Sequence, residues 1–359
     1  MIKYIGSKRL LLDPIVAAVR GFGGVEHAVD LFSGTSRVGQ ALKRAGLRVT
    51  ANDHLAYAAT LARCYIAADR GAWEPKAARL IAELAEVPPV DGYVTQTFCR
   101  DARFFQPDNG MHIDGIRDAI AARDLPPLLE AIALTSLMEA ADRVDSTTGV
   151  QMAYLKKWAR RSHNALALRV PVLTDGPGDA LHLEAEEAAE VTADVAYLDP
   201  PYNQHSYMGN YHIWETLVLW DAPEHYGVAK KRVHCKTYKN PFNSRVRIAE
   251  AFARVIRRVK APNLVVSFSD EGNLSREALV EMLSARGHVR VVSAAHKRYV
   301  GAQIGIFSPK GEKVGKVSHL KNREMLFLVS PDRTAVEASE QAALAALGGS
   351  ARLSLSPRQ

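Results

Sequence analysis

Two short apolar stretches joined by one helix-like segment constrain the fold more than any other feature. Residues 27–34 (HAVDLFSG) predict a strand that enters a small-residue turn, and 35–46 (TSRVGQALKRAG) has helical spacing that ends at Gly46. A second strand follows in LRVTAND (47–53). Two strands separated by one short helix favour parallel pairing with a right-handed crossover, so the sequence predicts an α/β fold.

The same alternation of strands and helices returns in the second half of the chain. Residues 195–198 (VAYL) form the first of these predicted strands. Between the two α/β parts, residues 56–168 have mostly helical periodicity with Pro-Pro breaks and no convincing strand. We therefore predict one α/β sheet that a helical insertion interrupts. The further predicted elements are helix 248–260, strand 263–270, helix 275–287, strand 288–294 and strand 324–330.

The composition is that of an ordinary globular chain with a modest excess of positive charge. Lys and Arg number 46 against 39 Asp and Glu, and the net charge of +7 leans toward a polyanionic partner. A basic solvated surface explains the same number equally well. The three cysteines are scattered without a C-x-x-C pair, so we expect no disulfide framework, no metal site and a reducing cytoplasm. We find no apolar run of ~18 residues that would cross a membrane, and no signal peptide.

The turn after the first predicted strand has the features of a nucleoside site that lacks phosphates. DLFSGTSRVG fits neither G-x-G-x-x-G nor G-x-x-x-x-G-K-[ST], so a dinucleotide or a triphosphate is disfavoured. Gly34 allows close backbone approach, and Asp53 ends the next strand, where an acid accepts hydrogen bonds from ribose hydroxyls. S-adenosylmethionine is the common cellular ligand of this kind. The alternative is a plain turn glycine and a helix-capping aspartate.

The stretch LDPPY (198–202) ends an apolar strand with an acid, two prolines and an aromatic residue. A central strand cannot continue through consecutive prolines, because they have no N–H for the ladder. Asp199, Pro200, Pro201 and Tyr202 should therefore lie just past the carboxyl end of the strand, which is where ligands bind in open α/β sheets. The alternative is a strand-end turn with a buried tyrosine.

Four motifs together resemble the Dam-like class of DNA adenine methylases. They are KYIGSK (3–8), DLFSGTSRVG (30–39), AND (51–53) and DPPY (199–202), in that family's order and spacing. The resemblance implies a Rossmann-like S-adenosylmethionine-dependent methyltransferase fold with a helical insertion. It also implies site-specific methyl transfer to the exocyclic amino group of adenine in duplex DNA, with base flipping. The implied domains are a catalytic part (1–68 and 171–330) and a target-recognition insertion (69–170). The Ala/Ser/Leu-rich composition beyond Pro331 predicts a tail (331–359) that holds a helical turn or is disordered.

The resemblance also assigns residues to the cofactor. Tyr4 and Lys8 fall at the methionine end of the cofactor, with Gly6 allowing the turn. In the family an acid shortly before DPPY contacts the adenine of the cofactor. Asp179 is the expected equivalent of that acid, with Asp175 as the alternative. Ser36 stands where the family usually has a second glycine, and we expect it to be tolerated if its φ stays negative. The predicted cofactor-binding residues are Tyr4, Gly6, Lys8, Asp30, Phe32, Gly34, Asp53, Asp179 and Asp199.

The DPPY residues suit methylation of an amine. The lone pair of an exocyclic amine is delocalised into the base, and two acceptors for its N–H bonds would relocalise it. Asp199 and the carbonyl of Pro200 are these predicted acceptors, Pro201 helps to fix the backbone, and Tyr202 is the stacking platform for a flipped base. Methylation at cytosine C5 requires a cysteine, which in those enzymes follows a proline, and no cysteine here does so. Cytosine amino methylation, RNA adenine methylation and a non-catalytic DNA-binding relative stay open.

Basic segments indicate where DNA binds. Residues 230–247 contain seven basic residues, no acid and interleaved aromatic residues. A second basic segment (155–164) has helical spacing, and a third (296–324) suggests a hairpin over the DNA. We expect duplex DNA as the partner of a monomeric protein, with no membrane, and a separate cognate restriction endonuclease stays open. The predicted DNA contacts are Lys230, Lys231, Arg232, Lys236, Lys239, Arg245 and Arg247.

Overall fold

The computed structural model describes residues 1–297 and 321–353, which divide into two compact units. Unit 1 comprises Met1–Ser7, Glu26–Ala188 and His205–Asn240. Unit 2 comprises Lys8–Val25, Ala189–Gln204 and the described residues from Pro241 onward. Most of the predicted hairpin at 296–324, and the last six residues of the tail, lie outside the described residues.

The helices and strands follow the predicted alternation. In chain order they are α1 (Leu12–Gly21), β1 (His27–Asp30), α2 (Arg37–Arg44), β2 (Arg48–Asn52), α3 (Ala56–Ala62), α4 (Arg70–Ala85), α5 (Pro107–Ala121), α6 (Pro127–Val144), β3 (Gly178–Leu181), α7 (Ala185–Ala188), β4 (Val195–Leu198), α8 (Tyr207–Asn210), α9 (His212–Leu219), β5 (His225–Tyr226), β6 (Lys231–Arg232), α10 (His234–Thr237), α11 (Ile248–Arg258), β7 (Asn263–Ser269), α12 (Arg276–Ser284), β8 (His288–Lys297), β9 (Lys321–Ser330) and α13 (Arg333–Leu353).

The parallel strands of unit 1 are ordered β3-β2-β1. Helix α2 connects β1 to β2 and buries Val38 and Leu42, so the βαβ unit predicted from the sequence is confirmed. Strand β3 was not predicted, because its four residues, GDAL, carry little apolar alternation. It pairs with β2 through the register Thr50 to Asp179.

The helices α3 to α6 make up most of the remainder of unit 1. Asp69 caps α4 by accepting a hydrogen bond from the Ala72 N–H at 3.2 Å, and prolines occupy the first turns of α5 and α6. Helix α6 is buried over most of its length. The predicted helix at 155–164 is wrong: this segment is irregular and holds only a 3₁₀ turn at Arg160–His163.

The strands of unit 2 are ordered β4-β7-β9-β8. Strands β4 and β7 are parallel, whereas β9 runs antiparallel to both β7 and β8. The strands predicted at 195–198, 263–270, 288–294 and 324–330 are confirmed to within a few residues. The described structure therefore has the mixed α/β architecture of a Rossmann-like fold, as predicted.

The tail forms a helix rather than a single turn. Helix α13 spans 21 residues and packs against α1, where the Ser339 hydroxyl donates to the Ala18 carbonyl at 2.8 Å. Gly21 allows this approach, because a Cβ there would lie 2.6 Å from the Cα of Ser339. Across 1–297 and 321–353, no helix combines the length and the apolar character needed to cross a membrane.

Candidate active site

The turn that follows β4 in unit 2 presents the DPPY residues. Strand β4 is buried along its whole length, and Asp199 follows directly at its carboxyl end. The Asn273 N–H donates to the Tyr202 carbonyl at 2.7 Å, which fixes the turn after the two prolines. The Tyr202 ring packs against Phe268, with ring centres 5.1 Å apart. The sequence prediction that these residues leave the strand at its carboxyl end is confirmed.

Lys8 joins this turn to a second acid in a mostly buried charge cluster. Its Nζ lies 3.2 Å from Asp199 Oδ1 and 3.1 Å from Glu324 Oε2, and 5.4 Å from the centre of the Tyr202 ring. The side chains of Lys8, Asp199 and Glu324 are only 5%, 19% and 14% exposed. The sequence placed Lys8 near a cofactor carboxylate, whereas the structure shows its ammonium between two carboxylates of the protein. Glu324 belongs to no sequence motif, so the sequence did not indicate it as a site residue.

The charge cluster shifts the pKa values of its members. Burial raises the pKa of Asp199 to about 6, with Lys8 opposing the rise and Glu324 adding to it. Burial alone would lower the pKa of Lys8, but Asp199, Tyr202 and Glu324 raise it well above its usual range. Lys8 is therefore charged at neutral pH. Asp199 is an ionised acceptor whose charge is lost as the pH falls through about 6.

A glycine turn follows β1 in unit 1 and is held by Asp53. The Gly34 N–H donates to Asp53 Oδ2 at 2.9 Å, and Asp53 Oδ1 accepts from the Leu55 N–H at 3.0 Å. Gly34 has φ of +50°, and a Cβ there would lie 3.1 Å from the Tyr4 hydroxyl oxygen. Only glycine suits this combination of backbone and space. Asp53 thus has a structural role in addition to the ribose contact that the sequence suggested.

Ser36 closes the same turn in a conformation that the sequence did not predict. Its φ is +57°, so the condition under which we expected this serine to be tolerated, a negative φ, is not met. Its N–H donates to the Ser33 carbonyl at 2.6 Å, and its carbonyl accepts from the Gln40 N–H. Ser36 therefore belongs both to the turn and to the start of α2, and the chain changes direction at this one residue. The hydroxyls of Ser33 and Ser36 are buried and have no hydrogen-bond partner among the described residues. Such unsatisfied polar atoms fit a turn that receives a polar ligand.

Aromatic rings from two parts of unit 1 stack beside the glycine turn. Tyr4 stacks on Tyr211 and Tyr207, with ring centres 4.7 and 5.2 Å apart, and its hydroxyl lies 3.5 Å from that of Tyr57. The Ile5 N–H donates to the Tyr211 hydroxyl at 2.7 Å. Burial raises the pKa of Tyr4 well above its usual range, so it stays neutral. Sequence reasoning missed Tyr57, Tyr207 and Tyr211, although the tyrosines that follow DPPY were a visible signal.

The segment that carries Tyr4 is anchored by acids of the insertion. The Lys3 N–H donates to Asp142 Oδ2 at 3.1 Å, and the Lys3 ammonium lies 2.9 Å from Asp145 Oδ1. Arg161 contacts the same oxygen at 2.6 Å. Gly6 has φ of +75° and lies so close to the Tyr207 hydroxyl that a Cβ would approach it to 2.9 Å. The insertion thereby fixes the N-terminal motif within unit 1.

The remaining predicted cofactor residues occupy different positions. Asp30 is buried at the end of β1, and Phe32 is half-buried in the turn that follows. Asp179 lies on β3 two residues before its carboxyl end and pairs with Arg48 at 2.9 Å on the surface. The β3 residue that bonds to Asp53 is Leu181, the last residue of the strand, whose carbonyl accepts a hydrogen bond from the Asp53 N–H at 3.5 Å. Asp179 is therefore set back from the edge of the sheet that Asp53 occupies.

The chain is similar to known methyltransferases over most of its length. A family model of the D12 class N6 adenine-specific DNA methyltransferase matches residues 4–282 of the 359. The chain belongs to this family. The family and the reaction class that the four motifs implied, adenine-specific methylation of DNA, are thereby confirmed.

Individual relatives are similar at a lower level of identity. Type II methyltransferase M.NlaIII of Neisseria lactamica is 27% identical and aligns over 92% of this chain and 99% of its own length. Type II methyltransferase M.CviAII of Paramecium bursaria Chlorella virus 1 is 28% identical, over 83% of this chain and 92% of its own. Type II methyltransferase M.FokI of Planomicrobium okeanokoites is 28% identical, but this chain spans only 49% of its length.

The basic segment of this methyltransferase contains exposed, half-buried and buried residues. Lys236, Lys239, Arg245 and Arg247 are exposed, and Lys231 is half-buried. Lys230 forms an ion pair with Asp101 at 3.0 Å. Arg232 is buried, and its guanidinium donates to both oxygens of Asp221 at 2.7 and 2.6 Å. Arg232 therefore stabilises the β5–β6 hairpin, and it leaves the predicted set of DNA contacts because its charge is used inside the protein.

The insertion of the methyltransferase also exposes basic side chains. Lys156, Lys157 and Arg160 lie on the surface, and the Arg103 guanidinium lies 5.0 Å from the centre of the Trp158 ring. Arg161, in contrast, is occupied by Asp145. Three exposed basic residues thus lie on one short segment of the insertion, and Trp158 of the same segment forms a cation–π pair with Arg103.

The thiols of the methyltransferase are unsuited to nucleophilic catalysis. Cys64 and Cys99 are buried, and burial raises the pKa of the Cys64 thiol to about 12. Burial also raises the pKa of the half-buried Cys235. Within the described residues, no group of three or more His, Cys, Asp or Glu side chains is arranged to hold a metal ion.

Proposed function

We propose that this methyltransferase moves the methyl group of S-adenosylmethionine to N6 of an adenine flipped out of duplex DNA, and that Asp199 and the Pro200 carbonyl accept the two N–H bonds of that amine. The observation that carries the proposal is a mostly buried, ionisable Asp199 one residue past the end of β4, followed by two prolines and a tyrosine. When bound, the cofactor supplies an electrophilic methyl group on a sulfonium.

The acceptors of the DPPY turn would direct the lone pair of the amine. A carboxylate and a carbonyl that receive both N–H bonds favour a pyramidal nitrogen and stabilise the positive charge that develops on it. The nitrogen so directed would take the methyl group that the bound sulfonium supplies as its carbon–sulfur bond breaks, and Asp199 or water would accept the amine proton afterwards. Tyr202 would supply the flat face for the flipped base, because its ring is held against Phe268.

The glycine turn and the stacked tyrosines would hold the cofactor. The unpartnered hydroxyls of Ser33 and Ser36 offer polar contacts, and the Asp53 oxygens keep lone pairs for ribose hydroxyls beyond the two backbone bonds they accept. The methionine end would lie near Tyr4. Further proposed contacts are Gly6, Lys8, Asp30, Phe32, Gly34, Asp179 and Asp199.

Surface cations would hold DNA phosphates. In the basic segment these are the exposed Lys236, Lys239, Arg245 and Arg247 and the half-buried Lys230 and Lys231, and the insertion with Lys156, Lys157 and Arg160 would supply target recognition. Because the relatives are Type II enzymes, we also propose that a cognate restriction endonuclease acts separately. The net charge of +7 and the free thiols fit a monomer that works on DNA in a reducing cytoplasm.

Labelled methyl transfer tests the proposed function. The full chain is incubated with radiolabelled S-adenosylmethionine and unmethylated duplex DNA, and the product is digested to identify the labelled nucleoside. We expect label in N6-methyladenine, lost in Asp199→Ala and retained in Asp124→Ala, which removes an exposed acid. Label in cytosine would overturn the choice of base. Label on RNA alone, or none despite cofactor binding, would overturn the proposal.

A further inference from the structure

We propose that Glu324 is a positioning residue for methyl transfer, which holds Lys8 so that Asp199 keeps an oxygen open to the amine. This inference rests on the proposed function and goes beyond it, since Glu324 belongs to none of the motifs that indicated the site. Its carboxylate lies at the start of the buried part of β9, far in sequence from Lys8 and Asp199.

The geometry divides one cation between two acids. The Lys8 ammonium is nearly equidistant from Asp199 Oδ1, at 3.2 Å, and Glu324 Oε2, at 3.1 Å. Lys8 is 5% exposed, so it has little water to replace a lost partner. Without Glu324, the hydrogen bonds of the ammonium would turn to Asp199, which is the nearest remaining acceptor. Asp199 would then be a poorer acceptor for the amine.

The charge count favours the same role. One lysine and two ionised carboxylates leave a net charge of −1 in a mostly buried cluster. Positive charge develops on the amine as the methyl group arrives, so an uncompensated negative charge beside Asp199 stabilises the transition state. Replacing Glu324 with a neutral residue would make the cluster neutral and remove that stabilisation.

The backbone at Glu324 does not depend on its side chain. In the sheet, Glu324 pairs with Ser269 of β7 and with Ala294 of β8 through main-chain groups. Glutamine has nearly the same shape and can still accept a hydrogen bond from Lys8 through its carbonyl. A Glu324→Gln variant should therefore fold, and it tests the charge rather than the packing.

Steady-state kinetics as a function of pH test the proposal on the full chain. We expect Glu324→Gln to lower kcat by about 10- to 100-fold, with little change in KM for cofactor or DNA. The acid limb of the pH–rate profile of this variant should lie about one pH unit below that of the wild type, because losing a negative neighbour lowers the pKa of Asp199. Glu324→Asp should restore most of the wild-type kcat and most of the wild-type position of the acid limb. The control is Glu337→Gln, which breaks an ion pair with Arg290 away from the cluster and should match the wild type.

A readout without turnover separates this proposal from the proposed function. The carbon-13 carboxyl resonance of Asp199, assigned by its absence in Asp199→Asn, is titrated in wild type and in Glu324→Gln. An unchanged titration together with an unchanged acid limb overturns the role of Glu324, whatever its kcat, because a merely structural role would not move either. If the wild type methylates no adenine, the proposed function fails, and a shifted titration still supports the placement of charge by Glu324.

Discussion

Two acids occupy the same position in the two units but face different surroundings. Asp53 stands one residue past the carboxyl end of β2, and Asp199 stands one residue past that of β4. Asp53 accepts the backbone N–H groups of Gly34 and Leu55. Among the described residues, Asp199 receives no backbone N–H and its charge faces the ammonium of Lys8.

The difference teaches that position at a strand end does not determine what an acid does. Backbone N–H groups satisfy Asp53, so its charge holds a turn in place. Asp199 is mostly buried beside a second acid, and its pKa rises to about 6, so the fold keeps it as an acceptor at some expense in stability. One acid holds a turn, and the other is the proposed acceptor for the amine.

The largest expected effect is the loss of turnover when Asp199 is neutralised. Asp199→Asn should lower kcat by at least about 10²–10³-fold, because one N–H acceptor of the amine becomes a donor. Binding of S-adenosylmethionine by calorimetry should stay within a few-fold of the wild type. Retained turnover would break the comparison, since Asp199 would then be no more reactive than Asp53.

The second expected effect is a loss of stability when Asp53 is changed. Asp53→Asn should lower the free energy of unfolding by about 1–3 kcal/mol, because an amide nitrogen replaces one of the two carboxylate oxygens and cannot accept the backbone N–H that this oxygen accepted. Chemical denaturation at neutral pH measures this effect. Asp179→Asn is the control, since its ion pair with Arg48 is half-exposed and should contribute little. Equal stabilities of the two variants would contradict the clamping role of Asp53.

A third expected effect has the opposite sign and depends on pH. Because the folded pKa of Asp199 is raised from 3.8 to about 6, the folded state favours the protonated carboxyl. This contribution to stability is present below pH 3.8 and is lost as the pH rises through about 6. Asp199→Asn should therefore be more stable than the wild type by about 1–3 kcal/mol at pH 8, and the gain should vanish near pH 4. Thermal unfolding at both pH values measures it, and a variant destabilised at pH 8 would contradict the assignment.

The smallest expected effect concerns DNA and extends the contrast to the basic segment. Lys236→Ala should weaken binding of duplex DNA only a few-fold and reduce the salt slope by about one. Arg232→Ala should instead lower the stability of the protein, because it leaves Asp221 without its bidentate partner. Fluorescence anisotropy at several salt concentrations, beside denaturation, separates the two. A DNA defect in Arg232→Ala with full stability would return Arg232 to the contact surface.

Local patterns predicted the central parts of the fold and of the site. The βαβ unit and the DPPY turn were readable because strand, turn and helix signals there lie within a few residues of one another. Strand β3 escaped because GDAL has no apolar run and gains its strand form by pairing with β2. The left-handed φ of Ser36 also arises from the closure of a turn rather than from the preference of serine.

Partners that are far apart in sequence could not be predicted. Glu324 reaches Lys8 only after β9 has been inserted beside β7, and no spacing in the sequence encodes that approach. Arg232 looked like its basic neighbours, and only burial beside Asp221 distinguishes it. Charge in a sequence indicates a surface, but the counter-charge that neutralises it becomes visible only in three dimensions.

The placement of β9 has a consequence for how unit 2 is made. Strand β9 lies between β7 and β8, although it is synthesised after both. On a ribosome, β8 would emerge and wait without its partner until β9 followed, with its edge open to wrong pairing in the interval. Helix α13 then emerges later still and covers α1, which is made before every strand of unit 2. The timing of translation thus bears on this sheet, and a stop codon between β8 and β9 would remove β9 and leave β8 with no strand to join.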